Sequence, residues 1–204
     1  QRLVDVRIGD PAHPDLVADW AEVETVWSLW GPRISKIKAG GGMLNARMID
    51  GKLSFGALDK LLPADDGTPF SLPPLTVDLS KARARIETPQ GVVGMALSGR
   101  GPLDSGFEGQ IAAAAPSAVV GGCQMDRARV QGRLSTKGGR PAFSGPASIN
   151  AVSCAESRIN AVRSDLDISS NSGFNLFNFN GKIKSGIVRS GDAAVQSFSS
   201  EFSL

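Results

Sequence analysis

Apolar and polar residues alternate with period two along most of the chain, the pattern of strands with one apolar and one wet face. Near the N-terminus the apolar positions are Val4, Val6 and Ile8, then Leu16, Ala18 and Trp20, then Val23 and Trp27. Pro11 and Pro14 flank His13 and predict a turn between the first two strands. Trp27, Trp30 and a Gly31-Pro32 turn lead to Ile34 and Ile37, and Gly40-Gly41-Gly42 precedes a further strand over Met43 to Met48. No lysine follows the triple glycine at the Walker spacing, and no GxGxxG frame can be drawn through it. It therefore reads as a bulge or tight connection, not as a phosphate loop.

The period changes between Ser54 and Leu62. Phe55, Leu58, Leu61 and Leu62 stand at helical spacing, with Ser54 as N-cap and Pro63 as stop, which predicts one short amphipathic α-helix. Residues 63–74 are proline-rich and divide an N-terminal segment, 1–62, from the remainder, 75–204. Within that loop Asp65-Asp66-Gly67 reads as a solvated turn. Beyond it short strands follow at even spacing. Leu75, Val77 and Leu79 shift parity to Ala82, Ala84 and Ile86, which predicts a bulge. Val93, Met95 and Leu97 come next, then Phe107, Ile111 and Ala113, then Ala128, Val130 and Leu134. Phe143, Ala147 and Ile149, then Ile159 and Ala161, Leu166 and Ile168, and a stretch from Phe174 to Ile183 complete the series. The segments beginning at Arg129 and Ile159 are alike, a loose repeat of about 30 residues that implies an elongated stack of hairpins.

Composition narrows the chemistry. The chain has 204 residues, 41 % of them hydrophobic, with 24 glycines and no tyrosine, so a folded, β-dominated protein is expected. A formal net charge of +2 lacks the dense basic field of a nucleic-acid binder, and no nucleic-acid partner is expected. The charges of Asp78, Lys81, Arg83, Arg85 and Glu87, and of Arg127, Arg129 and Arg133 beside Gln131, alternate with apolar partners as on a solvated sheet face. One histidine, His13, excludes metal sites built on several histidines and leaves little room for a histidine relay to a nucleophile. Asp165 to Asn171 begins like a calcium loop, but Ser170 stands where glycine is required and Leu176 where the bidentate glutamate belongs. No G-x-S-x-G elbow occurs. No catalytic residue, metal or cofactor is predicted. Cys123 and Cys154 suffice for one disulfide, which is the expected reading, with two buried free thiols as the alternative. No stretch approaches the ~20 apolar residues of a membrane span. The chain opens on Gln1, and its last residues, Phe198 to Leu204, alternate like a strand in mid-course, so a piece of a longer protein is expected.

Two architectures satisfy this pattern, a closed sandwich and a long curved sheet whose apolar face stays open for a ligand with long apolar parts. The run Gly41-Gly42-Met43-Leu44, then Gly51-Lys52-Leu53-Ser54-Phe55-Gly56 with Leu58-Asp59-Lys60-Leu61-Leu62, then Ile86-Glu87-Thr88-Pro89-Gln90-Gly91 and a train of G-x-L-x strands resembles the YdbH branch of the bacterial AsmA-like proteins, relatives of TamB and YhdP. The likeness covers about Val17 to Ile168. It implies an elongated, curved, mostly antiparallel β-groove, part of a periplasmic protein anchored in the inner membrane by a helix outside this sequence. Such proteins are thought to carry phospholipid between inner and outer membranes, so the implied partners are phospholipid acyl chains, both membranes and the rest of the same longer chain. An oxidising periplasm agrees with a Cys123–Cys154 bridge. The residues expected to line the groove are Leu75, Val77, Leu79, Val93, Met95, Leu97, Phe107, Ile111, Val130, Leu134, Phe143 and Ile149. Each serves equally well as core packing in the closed alternative.

Overall fold

The computed structural model describes residues 2–29, 31–61, 71–190 and 193–203. Residues 63–70 of the loop predicted over 63–74, with its Asp65-Asp66-Gly67 turn, and Leu62 and Trp30 lie outside the described residues. The described residues form one mixed, mostly antiparallel sheet of 15 strands. Its centre is a ladder of successive hairpins: β6 (Thr76–Thr88), β7 (Gly91–Pro102), β8 (Glu108–Val120), β9 (Cys123–Lys137), β10 (Arg140–Cys154), β11 (Ser157–Ser170) and β12 (Phe177–Ser185). Gly121-Gly122 and Gly138-Gly139 form tight turns in this ladder with φ of 57° and 77°, and 58° and 72°. Two-residue hairpin turns need left-handed φ at these positions, which is the use of the paired glycines.

The N-terminal part is built on different lines. β1 (Arg2–Gly9) pairs with β2 (Pro14–Ser28), and β2 pairs with both β3 (Gly31–Gly40) and β4 (Met43–Ile49), which carries the short β5 (Lys52–Ser54). β3 and β4 lie end to end beside β6 and run parallel to it, Lys36–Gly40 against Thr76–Ser80 and Met43–Arg47 against Arg83–Glu87. Period two is the same in parallel and antiparallel pairs, so these parallel seams leave no mark in the sequence. The triple glycine is the break between β3 and β4. A Cβ on Gly41, which has a φ of 65°, would overlap the Asp19 carboxylate. Opposite this break β6 carries the bulge expected between Leu79 and Ala82, with Lys81 at a φ of 53°. The two irregularities are joined across the seam. Gly41 donates its N–H to the Ser80 carbonyl at 3.1 Å, and Arg83 donates to the Gly42 carbonyl at 2.7 Å.

In place of the α-helix predicted over residues 55–62, the structure has a six-residue 3₁₀ helix, Gly56–Leu61. Side chains at its start favour the tighter turn. Asp59 accepts from the Ser54 hydroxyl at 2.6 Å and from the Phe55 N–H at 2.8 Å, while Asp15 accepts from the Ala57 N–H at 2.9 Å. The Ser54 hydroxyl, with help from the Phe55 N–H, holds the Asp59 carboxyl below its ordinary value. A carboxyl whose pKa is lowered by folding stabilises above its unfolded value and loses that contribution as pH falls through the folded one. The protection of the Phe55 amide, its exchange relative to an unstructured peptide at the same pH, should therefore fall on acidification below the ordinary carboxylate range, and an Asp59→Asn variant should remove that acid step.

At the other edge β11 forks. Its C-terminal half pairs with β12, which pairs with β15 (Phe198–Ser203), while its first residues pair with β13 (Val188–Ser190), which carries β14 (Ala193–Val195). No second layer covers this sheet among the described residues. The buried hydrophobic residues are Ala18, Ala46, Val77, Phe107 and Ala151. The chain exposes 13845 Å², against the roughly 9000 Å² expected of a compact chain of this length. A sandwich buries one face of each sheet. Here the apolar face is left half-exposed, so the described residues form an open single sheet and not the closed core.

Candidate functional site

The ladder registers bring the residues expected to line a groove onto one face. Leu79 stands opposite Gly99, which stands opposite Gly109, then Leu134, then Phe143. One step along the strands Ala82, Leu97, Ile111 and Gly132 form the next row, and Ala84, Met95, Ala113, Val130 and Ala147 the row after. Val93 pairs with Ile86, and Ile149 with Val162, on the same face. Val77 lies two residues before Leu79 and is buried, and Leu75 just precedes β6 in the same alternation. Successive residues of one strand point to opposite faces, so a single register error would have scattered these side chains. All of them except the buried Val77 and Phe107 are half-buried.

Aromatic rings pave part of this face where glycines leave room. Phe107, 2 % exposed, lies over Gly99 and Gly109. A Cβ on those glycines would come within 2.5 Å and 2.9 Å of its ring. Its backbone is held by Thr136, which accepts the Phe107 N–H on its hydroxyl at 3.0 Å and returns its own N–H to the Phe107 carbonyl at 2.9 Å. Phe143 lies over Gly132 in the same way, and Phe202 over Gly181, each 2.8 Å from where a Cβ would stand. At the open end of the β9–β10 hairpin Cys123 and Cys154 stand opposite one another and form a disulfide with a sequence separation of 31.

The opposite face carries a hollow of about 1200 Å³ that crosses β4 and β6 to β12. Among its lining residues are Gly94, Ala96, Ala112 and Ala114, flanked by Arg83 and Arg85 on one side and Arg129, Arg163, Lys182 and Lys184 on the other. Strand alternation puts these side chains on the wet face, so this hollow is cationic. Its cause is side-chain length, since a patch of glycine and alanine lies between long cations. Arg85 pairs with Glu87 at 3.3 Å and Lys182 with Glu201 at 2.8 Å. Arg83, Arg85 and Arg129 were legible in the sequence as charges of a wet face; the hollow between the cations was not, because it depends on which short residues the registers align.

Asp165 and Asp167 lie within β11, and Asn171 caps the turn after it, accepting the Asn175 N–H at 3.2 Å and the Leu176 N–H at 3.3 Å. That segment is thus a strand followed by a side-chain-capped turn, with the Asn171 oxygen turned to backbone. Among the described residues no group of three or more His, Cys, Asp or Glu side chains converges, and no helix is long and apolar enough to cross a membrane. Comparison with protein-family models, with curated proteins and with solved structures found no match.

Proposed function

We propose that this chain is a non-enzymatic lipid carrier, part of a longer periplasmic protein, that holds phospholipid acyl chains on its apolar face as they pass between inner and outer membranes. The observation that carries the reading is the continuous apolar face of a sheet with no covering layer among the described residues. Such a face costs free energy in water and calls for a cover with long apolar parts. An acyl chain laid across the rows gains ~25 cal/mol for each Å² removed from water. The aliphatic and aromatic side chains of these rows offer no directional partner, so the interaction is spread over rows two residues apart along the strands, and a chain can shift from row to row without a large barrier. The headgroup stays in water beyond the edge of the face.

Leu97, in the middle of the ladder and half-buried, provides the test. In a single layer, an aspartate there remains in contact with water, so Leu97→Asp should keep a cooperative melt and lose bound lipid. The measurement is native mass spectrometry of gently purified protein with organic extraction, beside a thermal melt. Adducts of phospholipid mass in the parent chain that vanish from a folded Leu97→Asp or Met95→Asp variant are the expected result. A lipid-free parent chain overturns the proposal. Partner capture that survives these charges and is lost when edge strands are trimmed would replace it with a structural, protein-binding β-module.

A further inference from the structure

The β2–β3 hairpin runs past the rest of the sheet. β1 accompanies β2 only as far as Glu22, and β6 accompanies β3 only from Lys36 onward, so beyond Glu24 and Lys36 the described residues form a free two-stranded ribbon. Thr25 to Ser28 span about 13 Å at the rise of a strand. The end of this ribbon is apolar and bare: Trp27 is 86 % exposed and Leu29 fully exposed at 101 %, with Val26 and Ile34 exposed beside them. At its base the charges are mutually neutralised, Lys36 with Glu24 at 3.6 Å and Lys38 with Glu22 at 3.4 Å. Near the tip Arg33, opposite Val26, forms no ion pair among the described residues. The ribbon is also continuous with the apolar face. Val23 pairs with Ile37, which pairs with Val77, and the alternation of β2 carries that face outward through Thr25, opposite Ile34, to Trp27, opposite Pro32.

We infer that the tip of this hairpin seats in the interfacial layer of an anionic phospholipid bilayer. A ribbon two strands wide presents far less than the ~800 Å² per partner of a standard protein interface, which argues against a protein partner or a second copy. A bilayer asks only for a small apolar wedge with an amphipathic ring at the headgroup level, the preference of tryptophan, and an unpaired cation beside it for lipid phosphate. Depth is limited by the neutral but charged pairs at the base, which stay in water. Seated in this way, the hairpin sets one end of the apolar face against the membrane surface, and an acyl chain passes from bilayer to sheet along a path that is apolar throughout. This last consequence rests on the proposed lipid-carrier reading; the seating itself does not.

The experiment is co-sedimentation of the whole chain with vesicles of phosphatidylethanolamine containing a minority of phosphatidylglycerol. A Trp27→Ser, Leu29→Ser double variant should partition at least about tenfold more weakly, with an unchanged melting temperature, because both side chains project into solvent. Arg33→Gln should lose about fivefold, and only at low salt. With Trp20 and Trp30 replaced by phenylalanine, the remaining Trp27 fluorescence should be quenched by phospholipids brominated in the upper acyl chain. Failure of the parent chain to bind these vesicles, or equal binding by the folded double variant, overturns the inference. Leu97→Asp separates the two readings, since it should abolish lipid retention while leaving vesicle partitioning intact. A parent chain that binds vesicles through its tip and carries no lipid would uphold this inference and reject the carrier reading.

Discussion

Replacing Cys123 and Cys154 together by alanine is expected to lower the unfolding free energy by about 3 to 4 kcal/mol, the loop-closure entropy released to the denatured chain. The two residues are separated by 31 positions and close the open end of the β9–β10 hairpin, in the middle of the ladder. Their loss leaves every side chain of the apolar face in place, so the change falls on stability and not on the register. For a chain of this length the melting temperature should drop by roughly 10 °C. Melts with and without a reducing agent give the check, because reductant should produce the same drop in the parent chain and none in the alanine variant. A parent chain insensitive to reductant would show that the bridge contributes nothing.

Phe107→Ala is the second large effect, about 3 to 5 kcal/mol by the cost of deleting a buried aromatic side chain. Phe107 is almost wholly buried, although the sheet has only one layer, because it lies across two glycines of neighbouring strands. Removing the ring uncovers the backbone of Gly99 and Gly109, while the bond of the Phe107 N–H to the Thr136 hydroxyl remains. Phe143→Ala, at a half-buried position, should cost clearly less. Urea unfolding with a common m-value would compare them. Equal and small losses for both would mean that neither ring acts as a cover.

Much of this architecture was legible in period two alone. The alternation from Leu75 to Ile149 marked the apolar face residue by residue, and the parity shift between Leu79 and Ala82 marked the bulge, because the side-chain period is a direct readout of a strand. The parallel seams of β3 and β4 with β6 were not legible, since pairing direction is decided by tertiary closure. The segment after Ser54 carries helical spacing, yet Asp15 and Asp59 capture the N–H groups of its first turn and it closes as a 3₁₀ helix. Trp27 was read as a residue of an ordinary strand, and nothing local distinguishes it from Trp20. Its exposure follows from the lengths of the strands on either side, which a single sequence does not announce.

The fork at β11 bears on self-association. A long unpaired strand is a template on which another chain can pair, and native sheets blunt such edges. β11 has 14 residues, and at the fork they are divided between two branches whose outermost strands, β14 and β15, have only 3 and 6. Among the described residues one long templating edge is thereby divided between two shorter branches, so a chain adding to β11 would have to displace strands already paired to it.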